Sequence, residues 1–482
     1  MQDRQIEAAR RVFEHFAEIL DAPFSLRLWD GTKVPLGRAD ANGACISIAG
    51  PGVLGALFRR PSFDHLFRRY VSGEIDIEGG DLIDFVEAAH RQRKQSRIRL
   101  GDLRKGFPWT KALPLLLARD RPAAIRHEVH GGDALRGKAK DREKEFIQFH
   151  YDASNEFYGL FLDPEMVYSC AYFRDWSNTL EEAQRNKLDL VCRKLRLRAG
   201  ETFLDIGSGW GALLCHAAQR YGVRAHGVTL SQAQHDHAQA RIARLGLQNR
   251  VTVSLTDYMT LEGRYDKIAS IGMYEHVGIA NYPAYFRKMH GLLAAGGIFL
   301  NHGITRRAKR NIKNFGKVSP SRRVILKYIF PGAELDHIGH TVQVMESCGF
   351  EIHDVEGLRR HYARTCRLWH DRLAARREAA VALVGAERYR MWVAYLAGVT
   401  MGFEYGPLHV FQTVASKQGE AAPLPPTRED LYRAGDPARD RAEQDVASGC
   451  WQSGRSPSSG RYGLAEPGSG PKSEPATVMK GR

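Results

Sequence analysis

The segment Phe203-Leu204-Asp205-Ile206-Gly207-Ser208-Gly209-Trp210-Gly211 constrains the fold more than any other stretch of this chain. A short apolar run ends in an acid, three glycines follow at alternate positions, and a helix-like stretch runs from Ala212 to Tyr221. That order spells a buried strand, a tight turn and a helix N-terminus. Glycine has no Cβ, so backbone at such a turn can approach a nucleotide-like ligand closely. The ligand could be S-adenosylmethionine or a dinucleotide, since Gly207-x-Gly209-x-x-Ala212 also satisfies the looser dinucleotide fingerprint. That fingerprint expects an acid about 20 residues on, after the second strand. Here the second strand, Val223–Val228, runs into Thr229-Leu230-Ser231 without one. The turn favours a methyl-donor pocket and leaves a dinucleotide or a purely structural turn as alternatives.

Around the turn the chain alternates between two periodicities. Strand patterns at Thr202–Ile206, Val223–Val228, Val251–Leu255, Lys267–Ile271 and Ile298–Asn301 enclose helical patterns at Ala212–Tyr221, Ser231–Leu245 and Tyr282–Leu293. This predicts a parallel, doubly wound α/β sheet with ligand at the carboxyl ends of its strands. Later strand patterns at Phe350–Val355 and His409–Ala415 flank a helical region from about Arg364 to Ala397. A hairpin-like end after βα units suits a seven-stranded, Rossmann-like methyltransferase sheet. Upstream, residues 1–120 read as a small α/β domain. Arg4–Leu20 has helical periodicity, Phe24–Trp29 and Ala44–Ala49 alternate like strands, and helices are expected around Val53–Arg59 and Ser62–Val71. The polar stretch 121–145 predicts a linker, 146–417 the sheet domain, and the Pro-, Gly- and Ser-rich 418–482 a disordered tail.

The chain carries a formal net charge of +15, which points to an anionic partner, either nucleic acid or phospholipid headgroups. Arg91–Lys105 holds seven Lys/Arg against one Asp, and Arg306–Lys327 holds nine basic residues and no acid. A solvated face is the plainer reading of either run alone. Neither run has the interleaved aromatics of a base-stacking platform, which favours headgroups and argues against nucleic acid. No apolar run approaches the roughly 18 residues of a membrane span. Seven scattered cysteines form no CxxC, so no metal site is expected, and a reducing, cytoplasmic location is.

Several collinear segments resemble the cyclopropane-fatty-acyl-phospholipid synthase family, which includes the mycolic acid cyclopropane synthases. They are Phe149-His-Tyr-Asp-Ala-Ser-Asn-Glu-Phe-Tyr158, Tyr168-Ser-Cys-Ala-Tyr-Phe173, Gly227-Val-Thr-Leu-Ser-Gln-Ala-Gln234, Gly272-Met-Tyr-Glu-His-Val-Gly278, Asn301-His302-Gly-Ile304, Tyr328-Ile-Phe-Pro-Gly332 and His361-Tyr362. The resemblance covers about 146–417. It extends upstream through Arg27-Leu-Trp-Asp-Gly31 and Tyr70-Val-Ser-Gly-Glu-Ile-Asp-Ile-Glu-Gly79, which look like the N-terminal domain of the longer bacterial synthases.

The resemblance implies methyl transfer from S-adenosylmethionine to the cis double bond of an unsaturated phospholipid acyl chain. Proton loss from the added methyl to a bound bicarbonate then closes a cyclopropane. A rival within the family leaves a methyl or methylene branch, and an RNA methyltransferase is a more distant alternative. By resemblance, bicarbonate sits among Cys170, Glu275, His302, the Ile304 backbone and Tyr362. Taken singly, each is as readily a buried thiol, a cap or a structural hydrogen-bonding group. Glu275 poses a puzzle, because a carboxylate beside an anion is repulsive unless one of them is protonated. The methyl donor is expected against Tyr168, Ser169, Gly207, Gly209, Gly211, Thr229, Leu230, Gln234 and Asp257, with Asp257 facing the adenine amino group. Glu334-Leu-Asp336-His337-Ile338 departs from the family's usual Leu-Pro-Ser and is expected to alter only local contacts. The run from Arg306 is expected to meet headgroups at the inner membrane face, and a homodimer is plausible from the family.

Overall fold

The computed structural model describes residues 2–37, 45–96, 107–120, 154–311, 315–330 and 332–432. The expected linker at 121–145, the first residues of the Phe149 motif, part of the Arg91 run and the tail beyond 432 lie outside the described residues.

The N-terminal region forms α1 (Gln2–Leu20), β1 (Ser25–Arg27), β2 (Lys33–Pro35), β3 (Cys45–Ile48), α2 (Pro51–Arg59), α3 (Phe63–Val71), β4 (Ile75–Glu78), α4 (Leu82–Ser96) and α5 (Trp109–Leu116). Its four-stranded sheet has the order β2-β1-β3-β4. Pro51 begins α2 where no amide donor is needed, and the Ser62 hydroxyl caps α3 by accepting from the His65 N–H. Strands β2 and β4, of three and four residues, are passed over by the sequence reading, whereas β1 and β3, equally short, lie inside longer alternating stretches.

The rest of the described chain forms α6 (Asn155–Gly159), α7 (Leu180–Lys194), β5 (Thr202–Ile206), α8 (Ala212–Tyr221), β6 (Arg224–Thr229), α9 (Gln232–Arg244), β7 (Val251–Leu255), β8 (Tyr265–Ile271), α10 (Tyr282–Leu292), β9 (Leu293–Arg306), α11 (Pro320–Tyr328), α12 (Ile338–Ser347), β10 (Phe350–Gly357), α13 (Arg359–Ala375), α14 (Arg377–Glu404), β11 (Leu408–Lys417) and α15 (Glu429–Tyr432). The expected seven-stranded sheet is present, in the order β10-β11-β9-β8-β5-β6-β7. It is mixed, because β11 runs antiparallel to both β9 and β10. Successive residues of β5 face opposite sides. Phe203 packs with α7, α8 and α9, while Leu204 and Ile206 pack with α10 and α12. The chain leaves β5 toward β6 and β7, then returns to add β8 on the other side of β5. This reversal opens a crevice at the carboxyl ends of β5 and β8, where open α/β sheets take their ligands.

A third layer, built from α6, α13 and α14, covers that end with Phe157, Tyr158, Phe161, Trp369 and Trp392. The predicted single helical region is two helices, and α14 is itself broken at Gly385, whose φ of 80° interrupts the helix. The N-terminal region seats on this layer. Arg390 of α14 donates to both Asp76 oxygens at 3.0 and 3.1 Å and to the Ile75 carbonyl at 2.8 Å. Phe67 and Val71 of α3 pack against Val324 and Tyr328 of α11. Residues 418–432, expected in the disordered tail, are instead held in place. Leu431 is buried and Asp430 pairs with Arg196 at 2.8 Å.

Candidate active site

The glycine turn lies at the carboxyl end of β5 and borders a cavity of about 920 Å³. Tyr168, Ser169, Gly207, Gly209, Thr229, Leu230, Gln234 and Asp257 all line it, as the sequence predicts. Gly209 has φ +53°, and a Cβ there would meet no atom within 4 Å, so its missing side chain leaves open space. Gly211 is a correction to the expected set, because it is absent from the cavity wall. It caps α8 with φ +80°, and a Cβ there would lie 3.0 Å from the Ala238 Cβ of α9. Its glycine serves helix packing. Thr229 donates to Gln234 Oε1 at 2.8 Å and fixes that side chain at the rim. Asp257 lines the cavity while also accepting from the Met259 N–H at 2.9 Å, so it is a turn residue as well.

Two cavity residues were missed as site residues. Lys187 of α7 is almost wholly buried, and its Nζ donates to Ser169 Oγ at 2.9 Å. Asp205, the acid ending β5, is buried with Oδ1 lacking a partner. Burial pushes Asp205 up to about 7, opposed by Lys187, and pushes Lys187 down to about 8, opposed first by Asp163. A lysine among buried positions of an amphipathic helix was the available signal. A cation and an acid facing one cavity fit the carboxylate and ammonium of an α-amino acid, which is the methionine end of S-adenosylmethionine. A pyrophosphate at this turn would instead meet the Asp205 carboxyl, so the chemistry of the site disfavours a dinucleotide.

Cys170, Ile304 and Tyr362 pack in the same cluster as Tyr168, and Glu275 and His302 join them through Ile304 and β9. Glu275 follows β8 in a short 3-10 turn, and its Oε1 accepts from the Ile304 N–H at 2.6 Å. This corrects the expectation for Ile304, because its amide is committed to Glu275. His302 lies two residues earlier on β9, and Ile304 pairs with Val410 of β11. The Val410 carbonyl accepts from the Leu358 N–H, and the Leu358 carbonyl accepts from the Tyr362 N–H. Cys170 Sγ lies 3.8 Å from that same Leu358 carbonyl and 3.3 Å from the Ala171 carbonyl. Cys170, Ile304 and Tyr362 thus share one apolar cluster, to which Glu275 is tied through Ile304.

Burial dominates the electrostatics of this inner site. It raises Glu275 to about 7, with the Ile304 N–H opposing, and lowers His302 to about 3. It pushes the Cys170 thiol and the Tyr362 phenol well above their usual ranges. Glu275 Oε2 and His302 Nε2 are buried without partners. The puzzle of a carboxylate beside an anion thereby softens, since a group titrating near neutrality is partly protonated and can donate. The segment that departs from the family pattern braces this turn. The Glu334 N–H donates to the Glu275 carbonyl at 3.1 Å, and its carboxylate accepts from the Ile279 N–H at 2.8 Å.

Aromatic rings line the boundary between the two sites. Tyr168 faces the cavity and also packs on the inner cluster, with Trp369 at 5.1 Å and Tyr158 at 5.4 Å between ring centroids. Trp210 lines the cavity 5.2 Å from Tyr158. Ring faces tolerate a positive charge in a desolvated place.

The basic run after β9 is only partly free for a surface role. Arg306 is tied inward, donating to the Leu335 carbonyl at 2.8 Å and lying 3.6 Å above the Phe315 ring. Arg307, Arg310, Lys317 and Arg323 are exposed. Among the described residues, no helix is long and apolar enough to cross a membrane.

Comparison with known proteins follows this geometry. The family described as mycolic acid cyclopropane synthetase matches residues 138–413. A probable fatty acid methyltransferase of Pseudomonas putida is 37% identical over 418 residues, covering 86% of this chain and 97% of that protein. Cyclopropane mycolic acid synthase 1 of Mycobacterium tuberculosis is 38% identical over 276 residues, covering 56% of this chain and 96% of its own. The crystal structure of mycolic acid cyclopropane synthase CmaA1 complexed with SAH and CTAB superposes with a TM-score of 0.54 at 37% identity, covering 57% of this chain and 98% of that one.

Proposed function

The chain belongs to the mycolic acid cyclopropane synthetase family of S-adenosylmethionine-dependent lipid methyltransferases, and from that premise we propose that it makes cyclopropane fatty acyl chains on unsaturated phospholipid. The observation that carries this reading is the inner site. A thiol and a phenol share an apolar cluster with Ile304, the acid is bonded to the Ile304 N–H and the imidazole lies two residues before it on β9, with Glu275 Oε2 and His302 Nε2 buried without a protein partner. Bound S-adenosylmethionine supplies an electrophilic methyl on a sulfonium. Lys187, Ser169 and Asp205, which line the cavity, would hold its amino-acid end, and Gly209 would admit it to the turn. The alkene's π electrons take the methyl as the S–CH₃ bond breaks, leaving a carbocation on the acyl chain. A base removes a proton from the new methyl, and that C–H pair forms the second ring bond. Bicarbonate suits the role of base, because a bare thiolate or carboxylate beside a methyl donor is open to alkylation. Protonated Glu275 and neutral His302 are hydrogen-bonding partners for it, and the tight apolar packing slows capture of the cation by water.

The bilayer is the proposed partner and the cytoplasmic leaflet the proposed location. Trp109 and Leu113 of α5 and Leu117, its C-cap residue, are 57%, 51% and 73% exposed and follow one another at spacings of four. An aromatic and two leucines exposed at that spacing in a chain with net charge +15 fit an anionic lipid surface. Replacing all three with serine should weaken co-sedimentation with anionic vesicles; unchanged partitioning removes this support.

The deciding experiment incubates the protein with S-adenosylmethionine and unsaturated phospholipid, then analyses the fatty esters by mass spectrometry and proton NMR. A gain of one CH₂ with upfield ring protons is the expected result. Methyl branching would favour the second reading, which the name of the Pseudomonas relative supports. Absence of any lipid product overturns both.

A further inference from the structure

His302 does not stand alone on β9. Directly opposite it in the antiparallel ladder with β11 lies Gln412. Opposed residues of a ladder share a face, so register itself delivers the amide to the ring. Gln412 Nε2 lies 3.1 Å from His302 Nδ1, and Gln412 is wholly buried. The other ring nitrogen, Nε2, is buried without a partner. Burial and the charges of Lys187 and Lys194 keep the ring neutral. A neutral imidazole has one donor and one acceptor, and the bond at one nitrogen decides which is which.

We propose that Gln412 is a positioning residue that fixes the tautomer of His302, donating its amide N–H to Nδ1 so that Nε2 carries the proton into the inner site. The ring then offers an N–H donor to an anion or to a developing negative charge, without itself becoming a cation beside the carbocation. The proposal rests on His302 belonging to the anion-holding site, and its test is separable from that reading.

The test is heteronuclear NMR of protein labelled with 15N in its histidine rings, with the His302 signals assigned by their loss in His302→Gln. Wild-type protein near pH 7 should show His302 protonated at Nε2 and bare at Nδ1. A ring protonated at Nδ1 overturns the proposal, whatever lipid product the enzyme makes. Gln412→Glu places a carboxylate acceptor opposite Nδ1. It should move the proton to Nδ1 and lower turnover at least tenfold, with S-adenosylhomocysteine affinity within about twofold of wild type. Gln412→Met removes the bond with little change of volume and covers the case where the glutamate variant does not fold. It should give mixed tautomers and a smaller loss of turnover. An unaltered tautomer and full turnover in Gln412→Met would also overturn the assignment. Failure of the wild-type enzyme to modify lipid would refute the functional reading instead, leaving the ring measurement intact.

Discussion

Burial pushes the acids of both halves of the active site toward their neutral forms, and the halves differ in what opposes it: a charged partner in the cofactor cavity, a backbone N–H in the inner site. The cofactor cavity keeps a lysine and an acid of opposite sign within reach of one another, and each opposes the desolvation of its partner. Such a place is complementary to a zwitterion. The inner site holds an acid, a thiol, a phenol and an imidazole, and burial drives each toward its neutral form. Such a place suits a reaction that creates and then discharges a carbocation, because a fixed negative charge beside a methyl donor would be open to alkylation. The difference teaches that one fold can serve binding by pairing charges and chemistry by withholding them.

The sharpest way to break this comparison is to remove the inner acid. Glu275→Gln should lower product formation by about 10²–10⁴-fold, the range for a lost proton-handling group. S-adenosylhomocysteine binding by calorimetry should stay within about twofold. If binding falls in parallel with turnover, the two sites are not separate. The converse variant, Asp205→Asn, should raise the dissociation constant for S-adenosylhomocysteine by about 30–100-fold, or roughly 2–3 kcal/mol. Lys187→Met should cost about tenfold. Loss of turnover in Asp205→Asn with unchanged affinity would assign the acid to chemistry and undo the contrast.

Glu275 also leaves a mark on stability. Its pKa rises from 4.5 to about 7 on folding, so the native state holds the proton more tightly than the unfolded chain. Stability is therefore fullest at low pH and declines as pH rises from about 5 to about 7, where the unfolded chain ionises first. Above that the contribution is flat. Thermal melts across pH 5–8 should show wild type losing ground to Glu275→Gln as pH rises. A gap independent of pH would mean that burial does not hold this acid protonated.

The legible parts of this molecule were those with long, repeated signals. The order of βα units and the glycine turn fixed the central sheet, because a buried parallel strand and its following helix each leave a clear period. Strands β2 and β4 lie in no such stretch, and their place comes from pairing with β1 and β3. Within the cavity, eight of nine expected residues were found because they sit in contiguous motifs after strands. Lys187 escaped because it lies in mid-helix outside any strand-end motif, and a lysine on a helix is ordinarily solvated. Gln412 escaped for a similar reason, since only the β9–β11 register places it against His302. The resemblance assigns the Ile304 backbone to the anion, but which partner its N–H takes is not written in residue types.

The smallest effect on the site should come from Gly211, and it separates fold from function within one turn. Gly209 and Gly211 both have positive φ, so alanine at either position is strained by roughly 1–2 kcal/mol. Their surroundings differ. At Gly209 the new methyl projects into open space at the turn bordering the cavity, so Gly209→Ala should weaken S-adenosylhomocysteine binding by several-fold. At Gly211 the methyl meets Ala238 of α9 at 3.0 Å, so Gly211→Ala should lower the melting temperature further while leaving affinity within about twofold. Adding Ala238→Gly should return part of that stability by relieving the contact, although glycine inside α9 itself costs about 1 kcal/mol. If Gly211→Ala weakens binding more than Gly209→Ala does, the third glycine of the turn belongs to the ligand after all, and the boundary between packing and recognition moves one turn into α8.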